Sequence, residues 1–139
     1  MDQSREDVMI SADEIIERLG MQPHPEEGGY FVETYKSEEL ISKLALPERY
    51  PSERAFGTAI FYLLTPDTVS ALHRLASDEI FHFYLGDPVT MLQLHPDGSS
   101  TVVTLGRDIL KDQELQVVVR RGTWQGAFLN EAGEFALLG

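Results

Sequence analysis

The sequence predicts an all-β fold, a single small sandwich or barrel with one short helix in front of it. Three observations carry this. Short runs of aliphatic, aromatic and β-branched residues recur along the chain, and turn residues interrupt them every 8–12 positions or so. Only one stretch, near the N-terminus, has helical periodicity. The 139 residues show no tandem repeat, low-complexity tract or linker, so one domain over residues 11–139 is expected.

The elements follow in order. Residues 1–10 are polar at the start and read as a flexible lead-in. Ser11-Ala-Asp-Glu14 forms a capping box, Ile15, Ile16 and Leu19 supply an apolar stripe, and Gly20 supplies the stop. The helix is short, so it must pack on something. Residues 21–27 contain two prolines and read as a loop. After Gly28-Gly29 comes a strand over residues 30–35, with Tyr30, Val32 and Thr34 on one face and Phe31, Glu33 and Tyr35 on the other. Residues 36–54 are polar, with leucine and isoleucine anchors, and read as a lid-like excursion with one helical turn. Strands are expected over residues 56–64, 68–75, 79–85, 89–95, 100–105, 115–120, 124–129 and 135–138. Pro96-Asp-Gly98 is a hairpin turn, since proline presets one dihedral and glycine supplies a positive one.

Composition bounds the function. Hydrophobic residues make up 42% of the chain, enough for a core without staples. There is no cysteine, which excludes disulfides, zinc–thiolate sites and thiol catalysis. The formal net charge of -12 repels a phosphate backbone, so nucleic acid is not an expected partner. No apolar run approaches the roughly 20 residues that span a bilayer, and the start is not a targeting peptide. A cytoplasmic protein without a membrane partner is the expectation.

Chemistry concentrates between Ser70 and Gly86, which hold His73, Glu79 and His82. The two strands there read as a hairpin joined by Ala76-Ser77-Asp78, a geometry able to aim imidazole and carboxylate into one cavity for proton transfer near neutral pH. Strict alternation puts Glu79, Phe81 and Phe83 on one face and Ile80, His82 and Tyr84 on the other, so His82 reaches the cavity of Glu79 only if a bulge intervenes near the strand start. His24 and His95 sit beside prolines in loops and read as solvated.

These residues and the strand pattern resemble the cupin superfamily of small jelly-roll barrels. His73, Glu79 and Gly86 stand in the relation of its first motif, with Leu75 where a second histidine would be. Gly122-Thr-Trp-Gln125 occupies the second motif, with Gln125 in the place of its histidine. Two of the usual four metal ligands are thus absent, and no metal or other cofactor is expected. The set Ile-Ile-Glu-Arg-Leu-Gly20, His24-Pro-Glu-Glu-Gly-Gly-Tyr-Phe31, Ala59-Ile-Phe-Tyr-Leu-Leu64, His73-Arg-Leu75, Asp78-Glu79 and Gly122-Thr-Trp-Gln125 is similar to the type-five cupin domain, related in fold to sugar-nucleotide epimerases. The resemblance implies a double-stranded β-helix that binds a small polar metabolite, a sugar or nucleotide sugar, in its mouth, with isomerase- or epimerase-like chemistry. His73 would be the base, Glu79 its orienting partner and Tyr84 or another phenol the acid. Tyr30, Glu33, His82, Trp124 and Gln125 would contact the ligand. A non-catalytic binding module and a metal-dependent cupin are the alternatives. Edge strands that invite pairing, and the habit of relatives, imply a homodimer.

Overall fold

The computed structural model describes residues 9–139. The expected flexible lead-in lies almost wholly outside them. Helix α1 spans Ala12–Leu19. The Ser11 hydroxyl accepts from the Glu14 amide at 3.2 Å and the Glu14 carboxylate accepts from the Ser11 amide at 3.2 Å, which completes the capping box. Gly20 closes the helix at φ 67°, a left-handed conformation that glycine adopts without strain. Ser11→Ala is expected to cost about 1 kcal/mol in urea denaturation.

Twelve strands follow: β1 (Gln22–Pro23), β2 (Tyr30–Lys36), β3 (Leu40–Ile41), β4 (Arg54–Ala55), β5 (Thr58–Leu64), β6 (Val69–His73), β7 (Glu79–Gly86), β8 (Val89–Leu94), β9 (Ser100–Leu105), β10 (Gln116–Val119), β11 (Trp124–Leu129) and β12 (Ala136–Leu138). They form a six-stranded sheet, β1-β2-β5-β12-β7-β10, and a four-stranded sheet, β6-β11-β8-β9. A small β3–β4 clip closes the excursion, and its single helical turn is 3-10, Lys43–Ala45. The three shortest strands, β1, β3 and β4, carry no alternation that sequence reasoning could detect.

From β5 to β8 and again from β9 to β12, successive strands alternate between the two sheets, which is the winding of a jelly roll. The core lies between the sheets, around Leu64, Phe83, Met91, Leu105 and Leu138. A second apolar layer lies outside the six-stranded sheet, where Ile15, Ile16 and Leu19 of α1 cover Val32, Leu63 and Leu137.

The expected hairpin over residues 68–85 is not one. β6 pairs with β11, whereas β7 pairs with β10 and β12. Residues 74–78 carry the chain across the roughly 10 Å between packed sheets instead of reversing it within one. His73 and Glu79 therefore approach each other from opposite walls of the barrel.

β12 is short. Gly139 continues its ladder, donating to the His82 carbonyl at 2.9 Å and accepting from the His82 amide at 2.7 Å. Beyond that pair, among the described residues, no strand lies between residues 58–60 of β5 and 79–81 of β7. The wall of the barrel is open there.

Candidate functional site

A cleft of about 530 Å³ occupies this opening. Glu27, Tyr62, Ser70 and Glu79 form its polar inner wall, and Ile60, Leu75 and Phe81 supply apolar surface. A second cleft of about 700 Å³ adjoins it under the excursion, sharing Thr58, Leu75, Ser77 and Asp78 with the first.

A β-bulge builds the wall. Gln125 of β11 pairs with His73 and Ala127 pairs with Ser70, so Gly126 alone opposes both Ala71 and Leu72. The extra residue turns Ser70 and His73, three apart in sequence, toward the same interior. It also frees the backbone of Ala71, whose amide donates to the Glu27 carbonyl at 2.7 Å and whose carbonyl lies 2.7 Å from His73 Nδ1. The bulge thus fixes both the Glu27 loop and the His73 ring. Gly28 permits the approach: at φ +87° its missing Cβ would overlap the Val69 carbonyl oxygen. Tyr62 pins the same loop by donating its phenol proton to the Gly28 carbonyl at 2.6 Å.

Each oxygen of Glu27 faces an imidazole. His73 Nε2 lies 3.4 Å from Oε1 and His24 Nε2 lies 4.0 Å from Oε2. His24 is not the solvated residue that its sequence context suggested. Its Nδ1 accepts from the Glu26 and Glu27 amides at 3.2 and 2.9 Å, and its ring packs 4.9 Å from that of Phe31. With Nδ1 an acceptor, Nε2 carries the proton and points it at Glu27. His73 is arranged the other way: Nδ1–H donates to the Ala71 carbonyl, and Nε2 is buried with no hydrogen-bond partner.

Burial raises the pKa of Glu79, the negative charge of Glu27 raises it further, and His73 and the Gln125 amide oppose both. Tyr62 is pushed up to about 12, chiefly by burial, with Glu27 and Glu79 adding to the effect. At the rim, Asp78 is held below the usual carboxylate range by the Arg121 amide, which donates to it at 2.8 Å, and by the Arg120 guanidinium. A raised carboxyl pKa means that folding retains the proton. The contribution of Glu79 to stability is therefore complete below the ordinary glutamate value of 4.5 and is lost as pH rises through the folded value. Glu79→Gln is expected to melt higher than the parent at neutral pH, with the gap closing on acidification. A variant that melts lower at neutral pH would contradict this.

The residues singled out in the sequence are dispersed. Glu79 is on the cleft wall, with His73 and Gln125 packed behind it as register partners. His73 does not itself line the cleft and bears on it through Glu27 and Glu79, its Nε2 being buried. His82 and Tyr84 lie on the outer face of β7, their rings parallel at 6.2 Å, and still line the cleft where the wall is open. No bulge interrupts β7 between Glu79 and His82, so alternation holds there. Tyr30 is on the outer face beneath α1, and Glu33 lines the adjoining cleft. Trp124 faces outward, half exposed, with the Arg74 guanidinium 5.1 Å from its ring, whereas its neighbour Gln125 faces in. Sequence reasoning passed over Glu27, Tyr62 and Ser70. The Gly28-Gly29 pair was the available signal for Glu27, because two glycines mark a close backbone approach.

The sequence matches the family described as cupin superfamily (DUF985) over residues 13–139. A hypothetical protein from Leishmania major is similar in structure, with a TM-score of 0.81 and 28% identity, covering 93% of this chain and 78% of that one. A protein from Shewanella oneidensis has a TM-score of 0.78 and 32% identity, covering 94% of this chain and 75% of that one. No curated protein matches.

Proposed function

The chain belongs to the Cupin_5 family of the cupin superfamily (DUF985), and we propose that it binds a small polar metabolite in the cleft and moves protons on it. The observation that carries this reading is the pair of carboxylates, Glu27 and Glu79, set on one wall in unlike surroundings. Glu79 is partly buried with its carboxyl pKa raised, whereas Glu27 sits between two imidazoles. Carboxylates whose environments separate them are suited to opposite roles. Glu27 takes a proton from the substrate and Glu79 returns one, as an isomerase or epimerase requires. His73 and Gln125 are positioning residues behind them. Tyr62, protonated at all ordinary pH, is the phenol on the wall and a hydrogen-bond donor to the Gly28 loop.

A non-catalytic binding module is the second reading, favoured by the complete burial of His73 Nε2. The metal-dependent reading fits the residues poorly. Among the described residues no three His, Asp or Glu side chains converge as a metal site, and Gln125 stands where the resemblance asks for histidine. We also propose a cytoplasmic homodimer, to which the exposed Leu72, Val102 and Phe128 would contribute apolar surface. A monomer by light scattering would contradict it.

The test is a thermal-shift screen of small polar metabolites, with hits followed by calorimetry and by proton exchange into substrate C–H positions in D2O. Binding that Glu27→Gln weakens, with exchange that it abolishes, supports the reading. Binding unaffected by Glu27→Gln would contradict it, and binding without exchange would favour the non-catalytic module.

A further inference from the structure

We propose that the cleft selects a compact organic cation, a hydroxylated amine, over a phosphorylated or otherwise anionic ligand. The inference rests on the cleft being the ligand site and narrows what it takes. The charged groups that line it are acidic, Glu27, Asp78 and Glu79; no lysine or arginine lines it, and Arg120 reaches only Asp78, at the rim. The charge of Glu27 disfavours ionisation of Glu79 on the same wall, and a cation beside the two carboxyl groups would offset that effect. A bound phosphate would add to it.

The other wall groups suit the same ligand. Tyr62, Ser70, Ser77 and Thr58 offer hydroxyls, and Phe81 supplies an aromatic surface. Hydroxyl groups on the ligand would pair with the first set, and a cation is attracted to the face of an aromatic ring. A divalent metal ion is a poorer occupant, because among the described residues no three His, Asp or Glu side chains are placed to hold one. An anionic tail would have to reach the adjoining cleft, where Lys36 and Arg54 occur, but Glu33 and Glu53 line that space as well. The net charge of -12 acts at longer range in the same sense, drawing cations and slowing anions.

The experiment is calorimetric titration of the full chain with glucosamine, glucose and glucose phosphate, at neutral pH in an amine-free buffer, repeated at high salt and with Glu27→Gln. Glucosamine is expected to bind about tenfold tighter than glucose, the size of one partly buried charge-assisted hydrogen bond, with glucose phosphate weakest. Glu27→Gln should remove most of the preference, bringing glucosamine down toward glucose. Equal binding of glucose and glucosamine, or tighter binding of the phosphate, would overturn the charge selection and leave the cleft standing as a ligand site. Failure of all three to bind would overturn this proposal, while the wider metabolite screen decides the ligand site itself. A preference for glucosamine that survives Glu27→Gln unchanged would place the cation elsewhere and also overturn the proposal.

Discussion

Gly28→Ala is expected to destabilise the protein by about 2–4 kcal/mol, at the upper end of single substitutions. Two penalties combine. The backbone at φ +87° lies where an L side chain is strained, by about 1–2 kcal/mol. The new methyl would also overlap the Val69 carbonyl oxygen, which is backbone and has no rotamer through which to retreat. Relief requires the loop to lift from β6, which breaks the 2.7 Å bond from the Ala71 amide to the Glu27 carbonyl and the 2.6 Å bond from Tyr62 to the Gly28 carbonyl. Gly98→Ala is the control. Its φ is +89°, but nothing lies within 4 Å of the added carbon, so only the conformational penalty applies. Urea denaturation of the two variants should differ by about 1–3 kcal/mol, the part due to overlap. Equal losses would mean that the Gly28 loop does not press on β6.

His73→Ala is expected to leave the fold nearly intact and to weaken ligand binding at least tenfold, or about 1.4 kcal/mol. The ring's Nε2 lies 3.4 Å from Glu27, so its removal frees the Glu27 carboxylate to leave the wall. The effect should then depend on Glu27: in a double-mutant cycle with Glu27→Gln, the second substitution should add little to the first. A loss of several kcal/mol of stability from His73→Ala would instead make His73 a structural residue whose role is to satisfy the bulge carbonyl of Ala71.

The strands of the barrel were legible because each buries one face. Val89, Met91 and Gln93 alternate inward as β8 requires, and the Pro96-Asp-Gly98 turn closes the one hairpin of the four-stranded sheet. What pairs with what was not legible. A short polar connection looks the same whether it reverses the chain within a sheet or carries it across to the other, and residues 74–78 do the second. The candidate site depends on that difference. It also depends on a bulge at Ala71-Leu72 that no turn residue announces, since its mark is a glycine, Gly126, on the partner strand. There a Cβ would lie 3.1 Å from Leu72 Cδ2. Alternation does put Glu79 on one face of β7 and His82 and Tyr84 on the other, but all three border the cleft because the wall is open beside β7. Alternation also sets Trp124 and Gln125 on opposite faces, so at most one of them can reach the interior.

The most direct test of the carboxylate cleft is two-dimensional NMR of the isotopically labelled chain during titration with glucosamine. Saturable shifts are predicted at the amides of Glu27, Gly28, Ser70 and Glu79, while the Trp124 indole on the outer face stays in place. Shifts confined to the outer face around Trp124 and Phe128, with Glu27 and Glu79 unmoved, would contradict the assignment of the cleft as the ligand site.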